Sequence, residues 1–331
     1  LTLGFFRMQR KIGLYTTLNL SRNALQVGLI LLSILLGYRL TGVIAAVIIS
    51  GIVFWLIELF IISRQVGFHI PQFSNMKSYL KWGIPLTPNS AMLWIIQSSD
   101  RYLVSYFMGV AATGIYTAAY AIAGYASFAL APLSTVLYPT IIKSYEEGNV
   151  AETRSYLKYS LKYFMMIAIP SAFGLSILAK PLLSILTRPE FVAGNIVVPF
   201  VAFGVVLFGF YRFCLYIIYL ADKTHLTVRL LGTSAILNII LNIVLIPRLG
   251  IIGAAIATLI AYAVLGILTL MVSRRYLKFD LSAPFMLKSI AASAIMVLCI
   301  WLINPQSIAL VIGSIFAGAL IYFGVLLLMK G

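Results

Sequence analysis

Six polar side chains fall within long apolar runs of this sequence: Glu58, Asp100, Arg101, Arg212, Asn238 and Asn242. Charge surrounded by hydrocarbon is costly, so such residues mark a substrate path, an ion path or a buried partner. Arg101 and Arg212 each offer several donors to an anion. Glu58 and Asp100 offer carboxylates to an ion or a proton. Asn238 and Asn242 are spaced i, i+4 and share one helix face, which suits hydrogen bonding between helices. Catalytic chemistry finds no support. No paired carboxylates share a face, no phosphate-gripping lysine loop is present, and no Ser/His/Asp set can be assembled. The chain is read as a non-enzyme without a cofactor. Cys214 and Cys299 lie in apolar runs without ligand spacing, and His69 and His225 fall in loops far apart, so no metal site is expected.

The local setting of these residues refines their roles. Asp100 and Arg101 are neighbours on one helix and point about 100° apart, so they do not simply pair with each other. Each faces a cavity or a partner helix; the competing reading makes the pair an anchor at the outer end of the helix. Arg212 lies two turns from the nearer surface, too deep for easy snorkelling. Glu58 is about one turn from its helix end, where snorkelling or pairing with Arg64 is expected. Gly253, Ala254, Ala257 and Thr258 form a small-residue packing face.

The elements that must carry these residues follow from composition. Of 331 residues, 62% are hydrophobic and 10% charged, with mean hydropathy +1.05. That excludes an ordinary soluble enzyme, a disordered chain and a disulfide-stapled domain. The unbroken apolar runs exclude a β-barrel, whose strands alternate. The chain is therefore an all-α polytopic membrane protein. Ten spanning helices are predicted, at roughly 18–38, 41–62, 81–108, 113–142, 160–180, 195–220, 226–247, 251–272, 284–303 and 308–329. Pro85 and Pro88 break the third, and Pro132 and Pro139 the fourth. Residues 143–159 read as a short interfacial helix or a solvated connector.

The net charge of +16 then finds its place. Eighteen of the 24 Lys and Arg residues fall in loops on one side. Arg39, Lys180, Arg188 and Arg248 fall on the other, and Arg101 and Arg212 inside spans. This asymmetry assigns the basic side, with both chain ends, to the cytoplasm. Nucleic acid is excluded as a partner, because these cations are spent on topology.

The chain also resembles itself. Arg39-Leu40, Gly42, Ser63-Arg64 and Lys77-Ser78 recur as Arg248-Leu249, Gly253, Ser273-Arg274 and Lys288-Ser289, at offsets of 209 to 211 residues. Such repeats are common in secondary transporters. The expected organisation is 1–70 as the last two helices of a first lobe, 71–275 as a complete six-helix second lobe, and 276–331 as a terminal pair. Four further helices, roughly 130–140 residues by the repeat offset, are expected ahead of Leu1, for fourteen in all.

The stretch from Asn238 and Asn242 through Pro247, Gly250 and Gly253 to Thr258 resembles polysaccharide and O-antigen flippases. These belong to the multidrug/oligosaccharidyl-lipid/polysaccharide exporter superfamily. Asp100-Arg101-Tyr102 with Gly109, Gly114, Tyr116 and Tyr120 agrees, as does Lys180-Pro181 followed by Pro189-Glu190-Phe191. The resemblance implies two lobes around a central cavity. It also implies movement of an undecaprenyl-diphosphate-linked oligosaccharide between leaflets of the cytoplasmic membrane of a prokaryote, for polysaccharide or lipopolysaccharide synthesis. On that reading Arg101 and Arg212 meet the diphosphate and Asp100 takes part in H+ or Na+ coupling. The alternative is a multidrug or small-metabolite exporter of the same fold, driven by an ion gradient.

Overall fold

The computed structural model describes residues 2–9, 11–67, 76, 80 and 87–329, and all regular structure among them is helical. Two compact units divide the chain, Leu1–Lys77 and Ser78–Gly331. Pro85, His69, Lys77 and Ser78, used above, lie outside the described residues.

The first unit holds α1 (Thr2–Met8), α2 (Ile12–Leu35) and α3 (Arg39–Val66). Helices α2 and α3 form an antiparallel pair. A β-carbon at Gly42 would lie 2.6 Å from the Ser33 Cβ and 2.7 Å from the Tyr38 Cβ. Only glycine therefore lets the two backbones approach at this turn. The buried stripe of α3 runs Gly42, Ala46, Ser50, Phe54, Glu58 at steps of four, and the rest of the helix is largely exposed. That is the pattern of a helix that packs along one stripe, here on α2 and α1.

The second unit holds α4 (Thr87–Gly124), α5 (Leu130–Glu146), α6 (Val150–Ile177), α7 (Ala179–Leu186), α8 (Val198–Leu220), α9 (His225–Leu249), α10 (Ile251–Ser273), α11 (Ala283–Ile303) and α12 (Ile308–Leu328). Helix α8 is the hub. It packs on α10, α6 and α4 and is buried on almost every side, including Val201, Gly204, Val205, Phe213 and Cys214. A helix apolar all round belongs in the middle of a bundle. Helix α10 meets α8 and α9 through Ala254, Ala257, Thr258 and Ala261, all 0% exposed. Apolar contact gains little over lipid contact inside a membrane, so close packing of small residues carries the association. Helices α11 and α12 pack on each other and on α6.

Among the described residues, nine helical segments are long and apolar enough to span a bilayer, one of them the 60-residue stretch Thr87–Glu146. At 1.5 Å per residue that stretch would measure about 90 Å, three times the ~30 Å hydrocarbon core. It is broken at Gly109, whose φ of 87° and ψ of 173° are not helical. It is interrupted again by a 3-10 turn at Tyr125–Ser127. It therefore supplies two crossings, and the ten expected spans are accounted for. The interruption of the second crossing precedes Pro132, while Pro139 is carried inside α5. Residues 143–159 are neither a separate interfacial helix nor a connector. They comprise the end of α5, a turn at Glu147–Asn149, and the start of α6. The turn is tight because Glu152 N–H donates to the Asn149 side chain while Ser144 and Tyr156 donate to the Glu152 carboxylate.

Candidate substrate and ion site in the membrane

The break at Gly109 makes α4 a helical hairpin. Asp100 and Tyr116 are sixteen residues apart, which would be about 24 Å along a straight helix. Yet the Tyr116 hydroxyl donates to Asp100 Oδ2 at 2.6 Å. Arg101 likewise meets Tyr120, its guanidinium carbon 4.8 Å from the ring centroid. Both pairs lie nearly symmetrically about Gly109, one on each arm. Asp100 precedes the turn by nine residues, about 13 Å, and lies well inside the arm that begins at Thr87. The pair is therefore not an anchor at the helix end.

Asp100 is 0% exposed. Beyond Tyr116, it accepts the Arg101 backbone N–H at 2.8 Å, and the Thr258 hydroxyl of α10 sits against both Asp100 and Tyr116. Asn238 of α9 extends the network. It accepts from Ser99 Oγ at 3.2 Å, and its amide lies 3.5 Å from Thr258 Oγ1. Asn242 Nδ2 donates to the Asn238 carbonyl at 2.9 Å and to its Oδ1 at 3.0 Å. The Asn242 Oδ1 is buried with no hydrogen-bond partner. Three helices thus bring together five oxygen-bearing side chains: Asp100, Tyr116, Asn238, Asn242 and Thr258, all fully buried. Asn238 takes the interhelical role expected of both asparagines, through its contacts with α4 and α10, whereas among the described residues Asn242 bonds only within α9, to Asn238.

Arg101 is turned away from Asp100. Among the described residues no carboxylate lies within ion-pair distance of its guanidinium, and its Nε is buried without a hydrogen-bond partner. The ring of Tyr120 supports it, and Tyr262 of α10 contacts the Tyr120 hydroxyl. A half-buried guanidinium whose Nε is buried and unpartnered is suited to an anion that bonds through several oxygens.

The remaining residues are not brought to this cluster. Arg212 lies among Tyr138, Tyr211 and Tyr219, beside the stacked rings of Tyr138 and Tyr216, 4.4 Å apart. It also lacks an ion-pair partner among the described residues. Glu58 belongs to the first unit. It is 3% exposed and accepts a hydrogen bond from Thr2 Oγ1. The pairing with Arg64 is not formed; Arg64 instead lies over the Phe60 ring at 4.8 Å. At i, i+6 the two side chains point away from each other, whereas Phe60 is one turn from Arg64.

Sequence reasoning missed Tyr262, and it read Tyr116, Tyr120 and Thr258 as residues of the family resemblance, with Thr258 also on a packing face, without placing them beside Asp100 and Arg101. A signal was present: Tyr116 and Tyr120 mirror Asp100 and Arg101 across Gly109.

Comparison with known proteins bears on what this arrangement serves. A family described as polysaccharide biosynthesis protein matches residues 7–191, over half of the sequence. The chain belongs to that family. The chain is similar to a probable low-salt glycan biosynthesis flippase, Agl15, of Haloferax volcanii. The two are 23% identical over 78% of this chain and 56% of the relative. A probable flippase of the same organism, AglR, is 30% identical over 49% of this chain and 34% of its own length. The chain spans about half the length or less of these curated relatives. Its fold is that of a solved lipid II flippase, MurJ, in an inward closed conformation. That match has a TM-score of 0.70 at 21% identity and covers 92% of this chain and 65% of the other.

Proposed function

We propose that this polysaccharide biosynthesis family member moves a polyprenyl-diphosphate-linked oligosaccharide across the cytoplasmic membrane of a prokaryote by alternating access. The observation that carries the reading is Arg101, inside a spanning helix, with a buried, unpartnered Nε and, among the described residues, no carboxylate within ion-pair distance. Such a group is costly unless an anion visits it. A diphosphate carries the charge and the oxygens to use its fork of donors. Tyr120 holds the guanidinium through its ring face and leaves the N–H edges free. Arg212 acts as a second cation on the path, near Tyr138, Tyr211 and Tyr219 and, among the described residues, without an acid within ion-pair distance.

The Asp100 cluster is the coupling site. A carboxylate at this depth needs a matching positive charge. Arg101 is turned away, so the match is a monovalent cation, H+ or Na+. Asp100, Thr258 and the free Asn242 Oδ1 supply the hard oxygen ligands that such an ion takes. Because Asp100 and Arg101 are consecutive on one helix, an ion on the first and a diphosphate on the second bias the same element. The names of the flippase relatives and the flippase-like fold support this reading. The family and its all-helical membrane fold give no support to covalent catalysis. The basic loops face the cytoplasm, as the charge asymmetry indicates.

The test is complementation of a flippase-deficient strain. Arg101→Ala is expected to lose export at normal membrane abundance, and Arg101→Lys to retain part of it. Full export by Arg101→Ala refutes the assignment.

A further inference from the structure

The start of α6 and the strap that joins α10 to α11, residues 274–282, enclose a shallow basic cleft of about 400 Å³. The strap opens with a turn at residues 274–276 and then alternates in burial over residues 277–280. Leu277 and Phe279 are each 6% exposed and sit in the core of the bundle. Lys278 and Asp280 are thereby turned outward beside Arg154 and Lys158 of α6. Lys158 Nζ lies 2.8 Å from Asp280 Oδ2. That contact holds the Asp280 carboxyl below the usual carboxylate range, aided by the Ser282 backbone N–H. The one acid lining the cleft is thus already neutralised. Arg154 and Lys278 remain, both exposed, with no carboxylate within ion-pair distance among the described residues.

An apolar lane leads away from the cleft. Tyr159, Tyr163 and Ile167 follow one another at steps of four along α6, and are 46%, 46% and 40% exposed. The two tyrosine rings stack at 6.1 Å, as amphipathic rings do at headgroup depth. Ile167 opens into an apolar groove of about 520 Å³ between α6, α11 and α12. Arg154 and Ile167 are thirteen residues apart, about 20 Å along the helix. That matches the distance from a lipid phosphate into the lower part of a leaflet whose hydrocarbon half-thickness is ~15 Å.

We propose that this cleft binds the phosphate headgroup of an anionic phospholipid, with Arg154 and Lys278 as its donors and one acyl chain laid along Tyr159, Tyr163 and Ile167. The occupant is a membrane lipid rather than a soluble anion because the cations and the apolar lane are continuous. A free phosphate would need only the first. The inference does not depend on the transport reading.

The experiment is purification of the protein in detergent with equal phosphatidylglycerol and phosphatidylcholine, followed by mass spectrometry of the intact lipid-bound protein. The wild type is expected to retain phosphatidylglycerol preferentially. Arg154→Gln/Lys278→Gln should lower that preference by about fivefold per removed charge. Lys223→Gln/Arg229→Gln, two exposed cations outside the cleft, should leave it unchanged. Lys278→Gln alone, on the exposed strap, serves if the double variant fails to fold. An unchanged preference in the cleft variants, or an equal fall in the control, overturns the proposal. So does displacement of the bound lipid by soluble glycerol phosphate at an equal concentration, which would mark a site for the free anion.

Discussion

Replacing Tyr116 by Phe removes one oxygen and nothing else. The ring is 0% exposed, so its packing is kept, while Asp100 Oδ2 loses its 2.6 Å donor. Two magnitudes compete. Hydrogen bonds between membrane helices average about 0.6 kcal/mol, with a maximum near 1.7, whereas bonds to charged groups reach about 1.5–3 kcal/mol. The acceptor here is a fully buried carboxyl with few other donors, so the upper end of the membrane range applies, about 1.5 kcal/mol. For a unit of this size each 1 kcal/mol moves Tm by about 2–4 °C, giving a fall of roughly 3–6 °C. The assay is thermal unfolding of purified protein in detergent, run as a double-mutant cycle with Asp100→Asn. The two sites touch only because α4 folds back at Gly109, so the cycle should show a coupling of about 0.5 kcal/mol or more. Additive effects of the two substitutions would refute the hairpin contact, and with it the geometry assigned to the ion site.

Three other outcomes are expected. Gly109→Ala should cost about 1–3 kcal/mol through backbone strain alone. The reason is that φ is +87° while an added β-carbon would meet nothing within 4 Å; unchanged thermal stability would contradict this. Gly253→Ala should destabilise by a different route, overpacking by about 1–3 kcal/mol, since its β-carbon would press on the backbone carbonyl of Leu245. A neutral result in the same melting assay would show that the α9–α10 turn can yield. The Lys158–Asp280 contact lowers the Asp280 pKa, so its stabilisation is present above the ordinary carboxylate value of about 3.9 and is lost as pH falls through the lowered one. Hydrogen exchange in residues 274–282 should therefore quicken only in strong acid, and Asp280→Asn should remove that pH dependence.

Ahead of any coordinates, the sequence determined the ten apolar spans found among the described residues and, for most of them, where they lie. Hydropathy is a local property that each run carries by itself, as do the glycines and prolines that end the runs. The ends of α8, α9, α10, α11 and α12 fall within a few residues of expectation for this reason. Even the long stretch from Thr87 was legible as two crossings, because no single helix of that length fits a membrane. The polar residues worth suspecting were visible too, since a charge in an apolar run is conspicuous without a structure.

Their partners were not visible, and the physical reason is the same for each. A hydrogen bond between helices depends on rotation, depth and crossing, which no local pattern encodes. Glu58 looked matched to Arg64 on the same helix, but a short helix far away in sequence supplied Thr2 instead. Tyr262 was indistinguishable from the many rings of a membrane belt, and the motif that holds Tyr116 and Tyr120 did not say what they touch. Folding back at Gly109 made these two the companions of Asp100 and Arg101, and the approach of α10 added the third. Residue types determined that costly charges lie within the membrane. Only the packing of α4 against α9 and α10 decided that Asp100 is enclosed by oxygen atoms while Arg101 keeps an unused donor.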